Sequence, residues 1–399
     1  MLILMIWKIL KWSFIAVVTI FILGVLGNSN KNAATQTAQT PATGTTPTKS
    51  VVVTAKSRPF YMGFTPWPPD ATVDAVNSVY DFIGKHADLI SHHLDNGIPW
   101  DEALNGTELP KNLLDNWNWR KSKTPTGAKV FVSITPLDFS RANIAPYWSN
   151  AGDNQPLPDS WKNKRLNDPD VKKAYLAYAK QAADYFHPQY MAIGIEANML
   201  AIKNPGMWQD FLELNAYVYS ELKKAYPNML VFDTIQYEWL KGIEPESKGK
   251  SSEQVAAVKE MLKSSDAIAL STYHYGVYHN PVTADYFAFA RSLDANKPMI
   301  ISEAGILSMD TQVAGTLLKA NEDDQKQFLA MLLKGATDEH MLFFNYFLAI
   351  DYDKLLSKLP TSVQEVARAW AHVGMEDQNY TPKPALSLWD EYLKLPYSR

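Results

Sequence analysis

The sequence predicts an α/β fold, a (β/α)8 barrel, over residues 59–399. Three observations carry that expectation: eight short β-rich runs, the near-continuous apolar character of most of them, and amphipathic helical stretches in between. Parallel strands covered on both faces read as apolar runs, whereas a half-exposed strand alternates. Eight strands, each followed by a helix, close into a barrel.

In order, the runs are RPFYMGF (58–64), ADLISHHL (87–94), KVFVSIT (129–135), YMAIGIE (190–196), MLVFDTI (229–235), DAIALSTY (266–273), PMIISE (298–303) and HMLFFNYF (340–347). Helical patterns between them span 171–186, 208–226, 252–264 and 323–337. Pro188 and Pro227 close two of these helices, because proline lacks the backbone donor a helix needs. About 350 residues exceed the ~250 typical of the fold, so insertions are required. The largest candidate is 136–167, rich in Pro, Asn, Asp and Trp, between the third strand and its helix. A doubly wound sheet competes, but GFTPWPPD follows the first run where a Gly-rich phosphate loop would stand.

Residues 1–50 stand apart from the barrel. Lys8 and Lys11 precede an almost purely apolar stretch at 13–27, which fits either an export signal or a spanning segment. No clean small-x-small cleavage site closes it, so residues 1–27 are expected to be an anchor with its N-terminal end in the cytoplasm. Residues 28–50, dominated by Thr, Ala, Gln and Pro, cannot bury enough surface to fold and are expected to form a tether. Residues 51–399 would then form the catalytic domain, exported to the periplasm or cell exterior and held at the membrane, and a monomer is expected.

Composition narrows the chemistry. With 38 basic and 42 acidic side chains the formal charge is -4, and no basic footprint for nucleic acid is present. The absence of cysteine rules out disulfides, thiolate metal sites and a cysteine nucleophile. Aromatic residues reach 12%, with twelve Trp and twenty Tyr, enough to fill a core or to build a surface on which sugars stack.

Chemistry in such a barrel sits at the C-terminal ends of the strands. Glu196 ends the fourth run in AIGIEANML and Glu303 ends the seventh in MIISEAGIL. Each follows a stretch too apolar to solvate a charge, so each is costly unless it faces a polar cleft. Two facing carboxylates are what glycoside hydrolysis needs: one protonates the departing oxygen, and the other attacks the anomeric carbon or activates water.

With these residues the chain resembles the clan of retaining glycoside hydrolases built on (β/α)8 barrels. SSDAIALSTYHYG, KPMIISEAG and TPKPALSLWDEYL are similar to segments of the endo-β-1,4-galactanase family. The resemblance implies Glu196 as general acid/base, Glu303 as nucleophile, an oligosaccharide or polysaccharide substrate with β linkages, and no cofactor. Clan members usually carry Asn before the acid/base, where this chain has Ile195. That departure implies a different sugar, a replacement donor such as Asn198, or a weakened enzyme. Tyr273 matches the clan tyrosine that hydrogen-bonds the nucleophile, and His274 beside it is taken as substrate-binding. Asn345 and Tyr346 end the eighth run, where clan members often place a Trp beneath the sugar, so Tyr346 is either that platform or barrel packing.

Further candidates follow from position. Adjacent strand residues point to opposite sides, so at most one of His92 and His93 faces the interior, where it would bind sugar with Asp95. Trp67 and Trp100 follow strands one and two, and Gln236, Glu238 and Trp239 follow strand five, in loops expected to rim the cleft. Trp117, Trp119, Trp148 and Trp161 lie in long loops that could line outer subsites. The HxH spacing of metal-dependent barrel hydrolases is absent, so no metal is expected. The rival from another class is a catalytically silent carbohydrate-binding or envelope scaffold on the same barrel.

Overall fold

In the computed structural model, residues 53–274, 285–313, 315–359 and 361–399 are described. The expected anchor and tether lie outside the described residues. Among the described residues, no helix is long and apolar enough to cross a membrane.

The strands are β1 (Tyr61–Phe64), β2 (Leu89–Leu94), β3 (Lys129–Ile134), β4 (Tyr147–Ser149), β5 (Gly152–Gln155), β6 (Tyr190–Ala192), β7 (Leu230–Phe232), β8 (Thr234–Gln236), β9 (Ile268–Thr272), β10 (Met299–Ala304), β11 (Thr311–Val313), β12 (Thr316–Leu318) and β13 (Phe343–Tyr346). Nine of them form one sheet in the order β7-β6-β3-β2-β1-β13-β10-β9-β8, and every pairing in it is parallel. The two ends of that order are halves of one stave: only Asp233 separates β7, which pairs with β6, from β8, which pairs with β9. The sheet therefore closes on itself as a barrel of eight staves, in the order the sequence predicts.

Period-two alternation divides each stave between two cores. Leu89, Phe131, Tyr190, Ala192, Phe232, Ala269, Ile300 and Phe343 meet in one cluster to which nearly every stave contributes, so this is the barrel interior. The opposite faces, including Ile90, Val130, Met191, Val231, Leu270, Ile301 and Phe344, pack against the surrounding helices. Burial on both faces is why the runs read as apolar.

Local signals set the helices. Asp168 caps the helix Pro169–Phe186, with proline in its first turn, and His187 ends it at φ 49° in the left-handed region. The helix Glu322–Asp338 begins with a reciprocal capping box between Asn321 and Asp324. The large insertion folds back over the loop after β2. Its β4–β5 hairpin bridges Ile98 to Tyr147, and Asn154 N–H donates to the Asn96 carbonyl at 2.9 Å.

That folding back corrects the aromatic expectations. Trp100 is fully buried, stacks on Trp161 at 5.2 Å and donates its indole N–H to the Ala145 carbonyl, so it is core rather than cleft rim. Trp117, Trp148 and Trp161 are likewise buried, which removes them as outer subsites. A 350-residue barrel with an insertion has an extra interface to fill, and indoles fill it.

Candidate active site

Glu196 stands just past β6, where the backbone leaves the sheet. Its φ of 49° lies in the left-handed region, a conformation a non-glycine residue adopts at a cost and one that clusters at functional sites. The Thr234 hydroxyl accepts from the Glu196 backbone N–H at 2.7 Å, and the Ser271 hydroxyl donates to Glu196 Oε1 at 2.9 Å. The residue is thus held from two staves, its backbone by Thr234 and its carboxylate by Ser271.

Glu303 lies within β10, at a register shift against β9 that falls between Ile301 and Glu303. Such a bulge re-aims a side chain. The Tyr273 hydroxyl donates to Glu303 Oε1 at 2.5 Å. Gly305 explains how that ring fits: a Cβ there would lie 2.5 Å from the Phe347 carbonyl oxygen and 3.0 Å from Tyr273 Cε1. The glycine of the SEAG motif is therefore a packing requirement of the tyrosine that supports the glutamate.

Between the two glutamates runs a chain of charges. His93 Nδ1 lies 3.9 Å from Glu303 Oε2, and His93 Nε2 lies 3.3 Å from Asp95 Oδ2. Arg141 Nη2 lies 3.8 Å from Asp95, and Arg141 Nε lies 3.6 Å from Glu196 Oε2. The side chains of Glu196 and Glu303 retain 21% and 23% of their exposure, so both can be reached from solvent.

Each shift in this network has a physical cause. Burial raises the Glu303 pKa, and the charge of Glu196 adds to that, while His93, the Tyr273 hydroxyl and Arg141 pull it back without cancelling it. Burial opposes a charge on His93, yet Asp95 and Glu303 outweigh it and raise the imidazole pKa. Burial would raise Asp95 too, but His93 and Arg141 draw it down to about 2. The arrangement places an imidazole of raised pKa between a firmly ionised aspartate and a glutamate that burial makes reluctant to ionise.

The remaining candidates separate by strand parity. His92 points away from the barrel: it is fully buried, shares a hydrogen bond with the Thr124 hydroxyl at 3.0 Å, packs on Phe186, and burial lowers its pKa to about 3. It is core, and only His93 reaches the site. Tyr346 is not a platform either, since it packs outside the barrel against Phe64, Phe344 and Trp389. Asn345 points inward, donating to the Thr65 hydroxyl and the Ser302 carbonyl at 2.9 and 3.1 Å.

Asn198 does not replace the missing donor. It is fully buried, and its amide nitrogen is committed to the Gln236 carbonyl and Gln254 Oε1 while its oxygen accepts from the Gln236 N–H. Gln236 itself caps the short helix Tyr237–Leu240 and donates to Glu238. Glu238 is buried, and accepts from the Thr272 and Tyr286 hydroxyls, each at 2.8 Å, and from the Tyr273 N–H. Trp239 is largely buried, with Lys203 Nζ 5.0 Å over its ring. His274 stacks on Phe328 at 6.3 Å. Trp67 is half-buried against Phe347 and Tyr352.

Four contributors were not visible in the sequence reading. Phe347, rather than Tyr346, meets Trp67 past the eighth stave, and Trp370 lies edge-on to Tyr273 at 6.2 Å. Arg141 and Lys203 bring cations towards Glu196 from the inserted loop and from the helix Leu200–Lys203. Only the turn chemistry of LDFSRAN hints at the first of these.

One group among the described residues, Asp351, Asp353 and His372, has the spacing to hold a metal ion. It includes neither glutamate, and Lys383 Nζ already pairs with both Asp351 oxygens at 2.7 and 2.6 Å.

No protein-family model matches the chain, and no curated protein matches it in sequence. Solved structures share its fold. An exo-β-1,4-mannosidase from Opitutaceae bacterium strain TAV5 superposes with a TM-score of 0.58 at 14% identity, covering 84% of this chain and 59% of that one. GH5_18 from Bifidobacterium longum subsp. longum, in complex with Manb1-4GlcNAc, gives 0.58 at 13% identity over 85% and 80% of the two chains. The GH53 catalytic domain of Ignisphaera aggregans gives 0.51 at 18% identity over 80% and 88%. The chain thus has the (β/α)8 barrel of these glycoside hydrolases, and GH53 is the galactanase family that its own segments resemble. It spans 59% of the length of the mannosidase.

Proposed function

We propose that the protein is a β-glycosidase that acts with net retention through a glycosyl-enzyme intermediate. Glu303 attacks the anomeric carbon while Glu196 protonates the departing oxygen; Glu196 then takes a proton from the water that releases the sugar. The observation that carries this reading is the placement of the two glutamates at the ends of the fourth and seventh staves, joined through His93, Asp95 and Arg141.

The chemistry needs Glu303 ionised when substrate binds. The Tyr273 hydroxyl and the His93 imidazole, whose pKa is raised, both favour its charge and so oppose, without cancelling, the burial that disfavours it. Trp67, Phe347 and Trp370 are partly buried against one hydrophobic cluster, Trp370 edge-on to Tyr273, and their remaining exposed faces are the candidates to exchange water for the apolar face of a sugar. β-Mannosides and β-1,4-galactans are the first substrates to test, because mannosidase and GH53 barrels are among those that share the fold. In the cell the domain is exported and held near the membrane by residues 1–27 through the tether 28–50.

The rival is a barrel that binds glycans without cleaving them. It draws on Ile195, buried beside Glu196 and unable to donate. Turnover separates the two readings. Aryl β-glycosides should be hydrolysed by the full-length protein, Glu303→Ala should abolish that hydrolysis, and added azide should restore it as a glycosyl azide of inverted configuration. Failure of both the Glu196 and the Glu303 variants to lower activity would sink the assignment.

A further inference from the structure

Ile195 leaves a question of chemistry, since the contact to the hydroxyl beside the anomeric carbon strengthens in the transition state and needs a donor. Arg141 is built to supply one. It sits in a turn past β3 where the Asp138 N–H donates to the Asn143 carbonyl at 2.9 Å and the Arg141 N–H to the Asp138 carbonyl at 2.8 Å. The Asp138 carboxylate ties the turn from inside, accepting from the Ser140 hydroxyl, the Ala142 and Asn143 N–H groups and the Asn143 amide. Two further residues clamp it from outside, Lys203 on the Ser140 carbonyl at 3.0 Å and Asn204 on the Ala142 carbonyl at 2.9 Å.

All of this fixes one side chain in an unfavourable backbone conformation. Arg141 has φ 56°, in the left-handed region that a long side chain rarely adopts. Its side chain is turned inward and is only 5% exposed. There it lies between Glu196 and Asp95 at 3.6 and 3.8 Å, while its buried Nε has no hydrogen-bond partner. That Nε faces the Glu196 carboxylate at ion-pair distance, too far for a hydrogen bond, so its N–H is left able to make a shorter bond to a substrate oxygen. Strain, burial and a donor without a hydrogen bond coincide beside Glu196.

We propose that Arg141 is a substrate-binding residue, whose Nε–H donates to the hydroxyl next to the anomeric carbon and so takes over the contact that Ile195 cannot make. The inference rests on the glycosidase reading. A sugar bound for chemistry has its anomeric carbon between Glu196 and Glu303, and the hydroxyl one carbon away then comes within reach of a donor placed beside Glu196. A guanidinium there gives a charge-assisted bond, stronger than one from an amide.

The test pairs a variant with a missing hydroxyl. Full-length protein and its Arg141→Met and Arg141→Lys variants are titrated calorimetrically with two kinds of iminosugar: the deoxynojirimycin type in gluco, galacto and manno configurations, which keeps that hydroxyl, and the isofagomine type in gluco and galacto configurations, which lacks it, so that its gluco form also matches manno. Arg141→Met should weaken binding of the first by about 10- to 100-fold, the range for a hydrogen bond to a charged group. Binding of the second, which feels only the loss of the nearby charge, should change far less, and Arg141→Lys should fall between wild type and Arg141→Met on the first probe. Equal losses on both probes, or none on either, would overturn the role of Arg141 while leaving the glycosidase reading in place. If the wild-type chain binds neither probe and cleaves no aryl glycoside, both inferences fall together. Arg141→Lys keeps the test open should Arg141→Met not fold.

Discussion

In the proposed mechanism, Tyr273 and Glu303 set the chemistry at the scale of single residues. The tyrosine hydroxyl stabilises the ionised glutamate, so removing it raises a pKa that burial has already raised. A nucleophile must be deprotonated to act, and activity is lost as pH falls through that pKa. The acid limb of kcat/KM should therefore lie above the ordinary carboxylate range in the wild type and move to higher pH in Tyr273→Phe. A charge-assisted hydrogen bond of about 1.5–3 kcal/mol predicts a fall in kcat/KM of roughly 10- to 100-fold. Rate measurements across pH with an aryl β-glycoside check both, and an acid limb that stays put would mean the tyrosine does not act on Glu303. His93 extends the same logic, since its charge depends on Asp95, which His93 and Arg141 hold ionised down to about pH 2.

At the scale of elements, the loops after the seventh and eighth staves are tied to the C-terminal helix Pro384–Leu393 by one buried pair. Lys383, at the cap of that helix, reaches both oxygens of Asp351 and the Ser308 hydroxyl at 2.7 Å, and both side chains are about 5% exposed or less. Burial already raises the Asp351 pKa to about 7, so without Lys383 the carboxyl would protonate and lose its strongest partner, and Lys383→Met should destabilise the fold by about 1–3 kcal/mol in denaturant unfolding. A loss below about 1 kcal/mol, the scale of an exposed pair, would show that the pair is wetter than its burial implies. The staves were legible as apolar runs because burial on both faces leaves no polar positions. Parity was harder to read. His92 against His93, and Asn345 against Tyr346, depend on which face the closed barrel turns inward, and no run of six residues encodes that. Trp100 and Trp161 stack across about sixty residues of chain, so their burial comes from the insertion folding back, a non-local event.

For the whole molecule, closure is the decisive feature. Asp233 divides one stave into β7 and β8, and the order of the remaining staves brings Glu196 and Glu303 to the same mouth of the barrel. The positions of the two glutamates could be foreseen, because each interrupts the apolar end of its run. Arg141 could not, since it belongs to an irregular turn and no periodicity points to it. Its role depends on the backbone angle and on ties from Lys203 and Asn204, more than sixty residues away in sequence. On the proposed mechanism the stereochemical outcome follows from how the two carboxylates act: direct attack by Glu303 inverts the anomeric centre once, and release by water inverts it again. Proton NMR of the first sugar released from an aryl β-glycoside tests this directly. The β-anomer should appear first and mutarotate later, and an α-anomer appearing first would contradict a nucleophilic Glu303.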